Sequence, residues 1–345
     1  MTKPSAILGW DIGGVNIKVT RLRRDRDNAV LRSVSWPYEV QQSPEILPEM
    51  LLTAAREAGA QQPDVHAVTM TAELSQAFRT KREGVGFVLD SLQTAFPDSS
   101  MYVYTVDGRF IVPVDARSRP LSVGAANWAA TASWVGRMFP TCVLIDIGTT
   151  SSDLIPIVGG EVAALGQTDP ERLLSGELVY SGALRTPAEA VAQVVPLWGG
   201  HAGVAADGFA LIGDAHLWRG RLTSEDYTCR APDGRPATRV FAGERLARMV
   251  CADRDMLDDS AIDAIAGALA QAQVKTLMQA LERVRSRWPA ITLAVVTGLG
   301  DFVAQEAAQG AGLATVSLAE QLGPASRTAP AAAVAWLCAE WLDSR

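Results

Sequence analysis

Two aspartates in this chain each close an apolar run and open a glycine turn. Ala6 to Trp10 runs into Asp11-Ile12-Gly13-Gly14, and Cys142 to Ile145 runs into Asp146-Ile147-Gly148-Thr149-Thr150. A carboxylate at a strand end suits a hydrated Mg²⁺, which takes one or two carboxylates and completes its shell with phosphate oxygens. Successive N–H groups around a glycine turn suit an anion, because nothing on the glycine keeps it from the backbone. After the first turn, Asn16 to Leu22 alternates apolar and polar residues, the period of a half-buried strand. After the second, Ser151 to Val158 reads as a strand closed by the hairpin pair Gly159-Gly160. Both glycine turns thus lead into strands, which excludes Walker and Rossmann loops, where the glycines lead into a helix. The two aspartates lie 135 residues apart, about one domain's length.

The elements that must position these turns alternate along the chain. Pro44 to Gly59 is amphipathic and stops at glycine, Val65 to Thr69 reads as a strand, Gly84 to Ala95 as a helix and Met101 to Val106 as a strand. Leu121 to Phe139 reads as one long helix stopped by Pro140. Gly166 to Arg239 is irregular, Asp259 to Trp288 is the longest helical pattern, and Ile291 to Val296 is a buried strand before Thr297-Gly298-Leu299-Gly300-Asp301. Pro330 to Leu342 closes the chain as an apolar helix. The charged segment Arg21 to Asp27 reads as a solvated hairpin turn.

Composition bounds the function. The 345 residues are 48% hydrophobic and 20% charged, enough for a sizeable core and about two domains. The expected division is 1–139 and 140–345, with an irregular insertion at about 166–239. The net charge of −7 argues against a nucleic-acid partner, which needs a basic face. No apolar stretch reaches the ~18 residues of a membrane span, and Met1 to Gly9 lacks the features of a signal peptide. The expectation is a cytoplasmic protein without a membrane partner. Cys142, Cys229, Cys251 and Cys338 are scattered and read as small buried hydrophobes, and His66, His201 and His216 are too dispersed for a metal cluster. Trp134, Trp198, Trp218 and Trp288 read as packing.

The paired Asp-Ile-Gly hairpins, the late Thr-Gly-x-Gly-Asp segment and the terminal helix resemble the actin-like superfamily over nearly the whole chain. That resemblance implies a two-lobed actin-like, ribonuclease H-like α/β fold. It implies phosphate contacts at Gly13, Gly14, Asn16, Lys18, Gly148, Thr149, Thr150 and Ser151, metal at Asp11 and Asp146, and a nucleoside loop at Gly298 and Gly300. A narrower resemblance rests on Gly9 to Lys18, Met70 to Ser75, Thr80 to Val85, Ala126-Asn127-Trp128, Asp146 to Asp153, Ser175-Gly176-Glu177 and Arg185-Thr186-Pro187. These look like the hydantoinase/oxoprolinase-like proteins of the tetrahydromethanopterin-linked one-carbon pathway. In the methanofuran-biosynthesis branch of that family, an aminomethylfuran-methyl diphosphate is joined to the phenol oxygen of γ-glutamyltyramine. The resemblance implies a tyramine- or tyrosine-type acceptor here, with diphosphate released.

That chemistry assigns roles. The leaving oxygens need electrostatic clamping from the two turns, Lys18 and Mg²⁺. A phenol, with a pKa of about 10, attacks best once a carboxylate takes its proton. Glu73 and Asp153 are the candidates for that base. Asn127, Glu177, Arg185 and Thr186 are expected at the substrate, an Arg being suited to a carboxylate. Two alternatives stay open. One is an ATP-dependent small-molecule kinase or hydantoinase-type amidohydrolase, since ATP or ADP would suit the same turns, though the favoured reading does not require nucleotide. The other is a non-enzymatic actin-like scaffold. Homo-oligomerisation is left open.

Overall fold

The computed structural model describes residues 6–25, 28–61 and 64–345. The first sheet has six strands: β1 (Ile7–Ile12), β2 (Asn16–Asp25), β3 (Asn28–Pro37), β4 (Val65–Met70), β5 (Met101–Tyr104) and β6 (Phe110–Ile111), in the order β3-β2-β1-β4-β5-β6. β1 pairs antiparallel with β2 and parallel with β4. All six residues of β1 are buried, as a central strand covered on both faces must be. Helices α1 (Leu47–Glu57), α2 (Lys81–Ala95), α3 (Pro113–Ser118), α4 (Pro120–Val123) and α5 (Asn127–Gly136) complete this part of the chain. Leu47, Leu51, Val85, Val88, Leu89 and Leu92 from α1 and α2 join Trp10, Ile12, Ile17, Val19, Val68 and Met70 in one apolar core.

The second sheet begins with β7 (Thr141–Ile147), β8 (Ser152–Val158) and β9 (Glu161–Val162). Gly159 and Gly160 both adopt positive φ, 62° and 85°, and join β8 to β9 as the Gly-Gly pair predicts. Then follow α6 (Asp169–Ser175), β10 (Leu178–Val179), α7 (Ala188–Val191), the hairpin β11 (Val194–Leu197) and β12 (Gly200–Gly203), α8 (Ile212–Trp218), α9 (Arg239–Arg248) and α10 (Asp259–Arg287). β13 (Leu293–Gly298), α11 (Asp301–Gly310), β14 (Ala314–Ser317), α12 (Ala319–Leu322) and α13 (Ala329–Asp343) end the chain. The main path of this sheet is β10-β8-β7-β13-β14, with β7–β13 and β13–β14 parallel.

Two compact units result: Met1–Cys142, Ile155–Arg172 and Leu318–Arg345 form the first, and Val143–Leu154 with Leu173–Ser317 form the second. The expected boundary at 139/140 lies three residues before the first crossing. Two later segments nevertheless return to the first unit, because α13 packs on β1, β2, β4 and α5 and because β9 packs on α5.

Several local expectations are corrected. The long helix expected over Leu121–Phe139 is two helices, α4 and α5. Between them Ala125, at φ 52°, donates its N–H to the Met70 carbonyl, and Gly124 bridges Met70, so these residues extend the end of β4 instead of a helix. Strand β2 continues through the segment read as a turn from Arg21, while residues 26 and 27 lie outside the described residues. Trp198 is 71% exposed at φ 49° on the tip of the β11–β12 hairpin, and is not packing. Cys251 is exposed and Cys229 half-buried, whereas Cys142 and Cys338 are buried as expected. Residues 166–239 hold only short elements, and they are anchored where Asp214 on α8, buried, accepts hydrogen bonds from Arg245 of α9 (2.6 and 2.9 Å) and from the Tyr227 hydroxyl (3.1 Å).

Candidate active site

The two Asp-Ile-Gly turns share their hydrogen bonding. In the first, the Gly13 N–H donates to the Asn16 carbonyl at 2.9 Å; in the second, the Gly148 N–H donates to the Ser151 carbonyl at 2.9 Å. The neighbouring parallel strand is tied in alike: the N–H of Thr71, after β4, donates to Ile12, and that of Gly300, after β13, donates to Ile147. Among the described residues the N–H groups of Gly14, Val15, Thr149, Thr150 and Ser151 meet no acceptor. Half-buried donors without partners in a turn are what an anion requires.

In the first unit Asp11 and Lys18 stand opposite each other on β1 and β2, and Lys18 Nζ lies 3.2 Å from Asp11 Oδ2. Asp11 Oδ1 is buried and accepts no hydrogen bond. Asn16 is buried at the start of β2. Parallel pairing of β1 with β4 places Thr71 to Leu74 beside the glycine turn: a Cβ on Gly13 would lie 3.4 Å from the Thr71 hydroxyl.

Glu73 sits in a single turn of 3₁₀ helix, Ala72–Leu74, and is 1% exposed. Gly84 of α2 makes this burial feasible, since a Cβ there would come 2.5 Å from the Glu73 carbonyl oxygen. Among the described residues neither Glu73 carboxylate oxygen accepts a hydrogen bond; Lys81 Nζ lies 3.4 Å from Oε1. Burial pushes the carboxyl up to about 7, with the Lys81 ammonium opposing. Lys81 Nζ also donates to Asp169 Oδ2 at 2.6 Å, and Arg172 donates to Asp169 Oδ1 at 2.9 Å. Burial would lower the Lys81 pKa, but Glu73 and Asp169 together hold it above the ordinary lysine value. Burial would raise Asp169, but Lys81 and Arg172 hold it below the carboxylate range. Arg172 is itself buried, its guanidinium 4.6 Å from the Trp128 ring centroid.

Lys81 and Asp169 are thus site residues absent from the sequence-based set. Thr80-x-x-Glu83 was the available signal for Lys81: the Thr80 hydroxyl accepts the Glu83 N–H, which starts α2 at Lys81, three residues before the expected start. Nothing in sequence spacing marks Asp169, 88 residues further on. Asn127 begins α5 and is not inside a longer helix, and Trp128 is buried.

In the second unit, residues 181–185 wrap the Gly148–Thr150 turn. The N–H of Ala183 donates to Gly148, and those of Leu184 and Arg185 donate to Thr149. The wrap is pinned from α10 by Gln273, whose Nε2 donates to Ser181 Oγ (3.0 Å) and to the Gly182 carbonyl (2.7 Å). Its Oε1 lies 2.8 Å from His216 Nε2, and burial lowers that imidazole to about 4, so it is neutral and donates. His216 thus has a positioning contact, while His201 is exposed. Gly182 donates its N–H to the Thr186 hydroxyl. The Arg185 guanidinium makes no hydrogen bond or ion pair among the described residues, although its backbone is fixed to the turn.

Gly298 and Gly300 have a steric reason to be glycine. Gly298 adopts φ 94°, and a Cβ there would lie 2.4 Å from the Ile147 carbonyl and 2.5 Å from Asp146 Oδ1; one on Gly300 would lie 2.5 Å from Ile147 Cγ2. Thr297 is the register partner of Asp146 on β7, so this loop packs onto the second aspartate. Asp153 is buried on β8 opposite Leu178. Glu177 is fully buried, accepting from Ser175 Oγ at 2.8 Å with Arg287 at 3.5 Å.

The hydantoinase/oxoprolinase family model matches residues 64–340. The chain is 33% identical over 339 residues, 98% of both chains, to the (4-{4-[2-(γ-L-glutamylamino)ethyl]phenoxymethyl}furan-2-yl)methanamine synthase of Methanocaldococcus jannaschii. It is 32% identical over 166 residues, 48% of this chain and 74% of the other, to the protein of that name from Methanococcus vannielii. A nucleotide-free structure of acetone carboxylase superposes with a TM-score of 0.59 at 12% identity, covering 95% of this chain and 70% of that one. The fold is the actin-like α/β fold. With a family-model match over most of its length and a relative aligned end to end, this chain belongs to the hydantoinase/oxoprolinase family.

Proposed function

We propose that this protein is a transferase of methanofuran-type cofactor biosynthesis, coupling an aminomethylfuran-methyl diphosphate to the phenol oxygen of a tyramine- or tyrosine-type acceptor. The observation that carries the reading is the buried Glu73 carboxyl, near pKa 7, in the 3₁₀ turn that follows β4, the parallel neighbour of the Asp11 strand. The end-to-end likeness to a named synthase supports the substrate class.

In this reaction the phenol oxygen forms a bond to the furan methylene carbon. The carbon–oxygen bond to diphosphate breaks, its electron pair leaves with diphosphate, and the phenol proton passes to Glu73. A base near 7 suits an acid of about 10 at neutral pH, because about half of it is unprotonated there and it is still basic. Lys18 and the free N–H groups of Gly14 and Val15 stabilise the departing diphosphate, a charge that grows in the transition state. The free N–H groups of Thr149, Thr150 and Ser151 and the unpaired Arg185 give the second unit an anion-binding turn of its own.

Asp11 fits a magnesium ion, since its Oδ1 is buried without a partner. Among the described residues no cluster of three or more His, Cys, Asp or Glu could hold a metal. Asp11, or Asp146 at the equivalent position, would therefore hold Mg²⁺ by one carboxylate, with phosphate oxygens completing the shell. When bound, the ion would neutralise the leaving diphosphate.

The test is to incubate the protein, Mg²⁺ and the furan diphosphate with tyramine, tyrosine and γ-glutamyltyramine in parallel, without ATP, and follow products by mass spectrometry. A phenol ether plus released diphosphate is expected. No ether with any acceptor, together with ATP hydrolysis on adding nucleotide and an amine or hydroxyl substrate, would replace the reading with a kinase or amidohydrolase.

A further inference from the structure

We propose that Asp169 is a positioning residue, holding the Lys81 ammonium away from full contact with Glu73 so that Glu73 can both take up and release a proton. The proposal rests on Glu73 being the base of the reaction above.

The geometry is that of one cation shared unequally between two carboxylates. Lys81 Nζ stands 2.6 Å from Asp169 Oδ2, a charge-assisted hydrogen bond, and 3.4 Å from Glu73 Oε1, an ion pair without one. A lysine side chain is a flexible four-carbon stem carrying a point charge. Without Asp169 nothing in the cluster would keep it from closing to hydrogen-bond distance of the buried Glu73. Asp169 is fixed in turn by Arg172, whose stacking on Trp128 ties the short helix α6 to α5.

Among the described residues, Lys81 and Asp169 are the charged groups that act on Glu73. From α2 comes Lys81, while Glu83 is occupied with the N–H of Arg79. From α6 comes Asp169, with Arg172 behind it. The 124–126 segment offers Gly124, whose Cβ position lies 3.2 Å from Glu73 Oε1, and the end of β4 offers Thr71. Removing Asp169 or Lys81 should therefore move Glu73 in opposite directions. Loss of Asp169 frees Lys81 to stabilise the Glu73 anion, and loss of Lys81 leaves that anion buried without a counter-ion.

The experiment follows the Glu73 carboxyl directly, by ¹³C NMR of the full chain labelled at glutamate side chains, with E73Q to assign the resonance. In D169N the protonation midpoint should fall by about 1–3 pH units, and in K81M it should rise by a similar amount. D169E should return it towards that of the parent chain. A midpoint unmoved in D169N, or moving the same way in D169N and K81M, would overturn the proposal. The transfer assay runs beside it, where the acid limb of kcat/KM should shift with the midpoint. Opposed NMR shifts in proteins that form no phenol ether would keep the Asp169–Lys81 relationship and sink only the assignment of Glu73 as base of that reaction.

Discussion

Replacing Glu73 by Gln should make the protein more stable at alkaline pH while abolishing its chemistry. The fold lifts this carboxyl from 4.5 to about 7, burial being the largest cause. Below pH 4.5 the group is protonated in both folded and unfolded chains and costs nothing. Between pH 4.5 and 7 the unfolded chain releases the proton while the folded chain keeps it, so stability falls as pH rises. The gap of about 2.5 pH units, at about 1.4 kcal/mol each, amounts to about 3 kcal/mol lost above pH 7. Glutamine keeps the shape and cannot titrate, and Lys81 still has Asp169 as a partner. Glu73→Gln should therefore match the parent chain at pH 4 and exceed it by about 3 kcal/mol at pH 8. Urea unfolding at both pH values, followed by the fluorescence of the nine tryptophans, measures the difference. Groups common to both chains cancel in the comparison. Equal stability at pH 8, a less stable variant, or a difference that does not change with pH would refute the assignment of a raised carboxyl. A carboxyl buried at that cost to stability is what a functional residue would show.

The remaining predictions test the surrounding parts. Gly298→Ala, forced to keep φ 94° with its Cβ against Ile147 and Asp146, should lose about 2–4 kcal/mol and lower the thermal midpoint; an unchanged midpoint would mean this close approach is not real. Lys18→Met should weaken binding of inorganic diphosphate with Mg²⁺ about 10–100-fold by isothermal titration, the value of a hydrogen bond to a charged group, and equal affinity would remove Lys18 from the site. Gln273→Leu leaves the Gly182 carbonyl and His216 without their partners and should cost about 2–4 kcal/mol, with faster amide exchange at residues 181–185; exchange confined to α10 would show that the wrap is held otherwise.

What could be read from sequence was whatever neighbouring residues decide. The strand–Asp-Ile-Gly–strand units are legible because a glycine turn and a period of two act within about ten residues, and the Gly159-Gly160 pair names its own hairpin. The helices at 47–57 and 259–287 carry their periodicity and stop signals with them. The Leu121–Phe139 segment has equally good helical composition, yet it breaks where Gly124 and Ala125 pair with Met70, a backbone contact across 54 residues that no local propensity encodes. Trp198 looks like core by residue type and stands exposed because the hairpin places it at the turn.

The candidate site divides in the same way. Asp11 and Lys18 could be named in sequence because motif and strand register lie seven residues apart, and Glu73 because it follows the strand-like run from Val65 to Thr69. The hold of Asp169 on Lys81 and the pressure of Gly298 on Asp146 join residues 88 and 152 apart, and the depth of Glu73 comes from Gly84 and Gly124, 11 and 51 residues further on. Residue types and spacing determined which groups were available for chemistry. Only tertiary packing decided which of them lost water, and the removal of water, with the charge brought close enough to oppose it, is what sets a carboxyl's readiness to hold or release a proton.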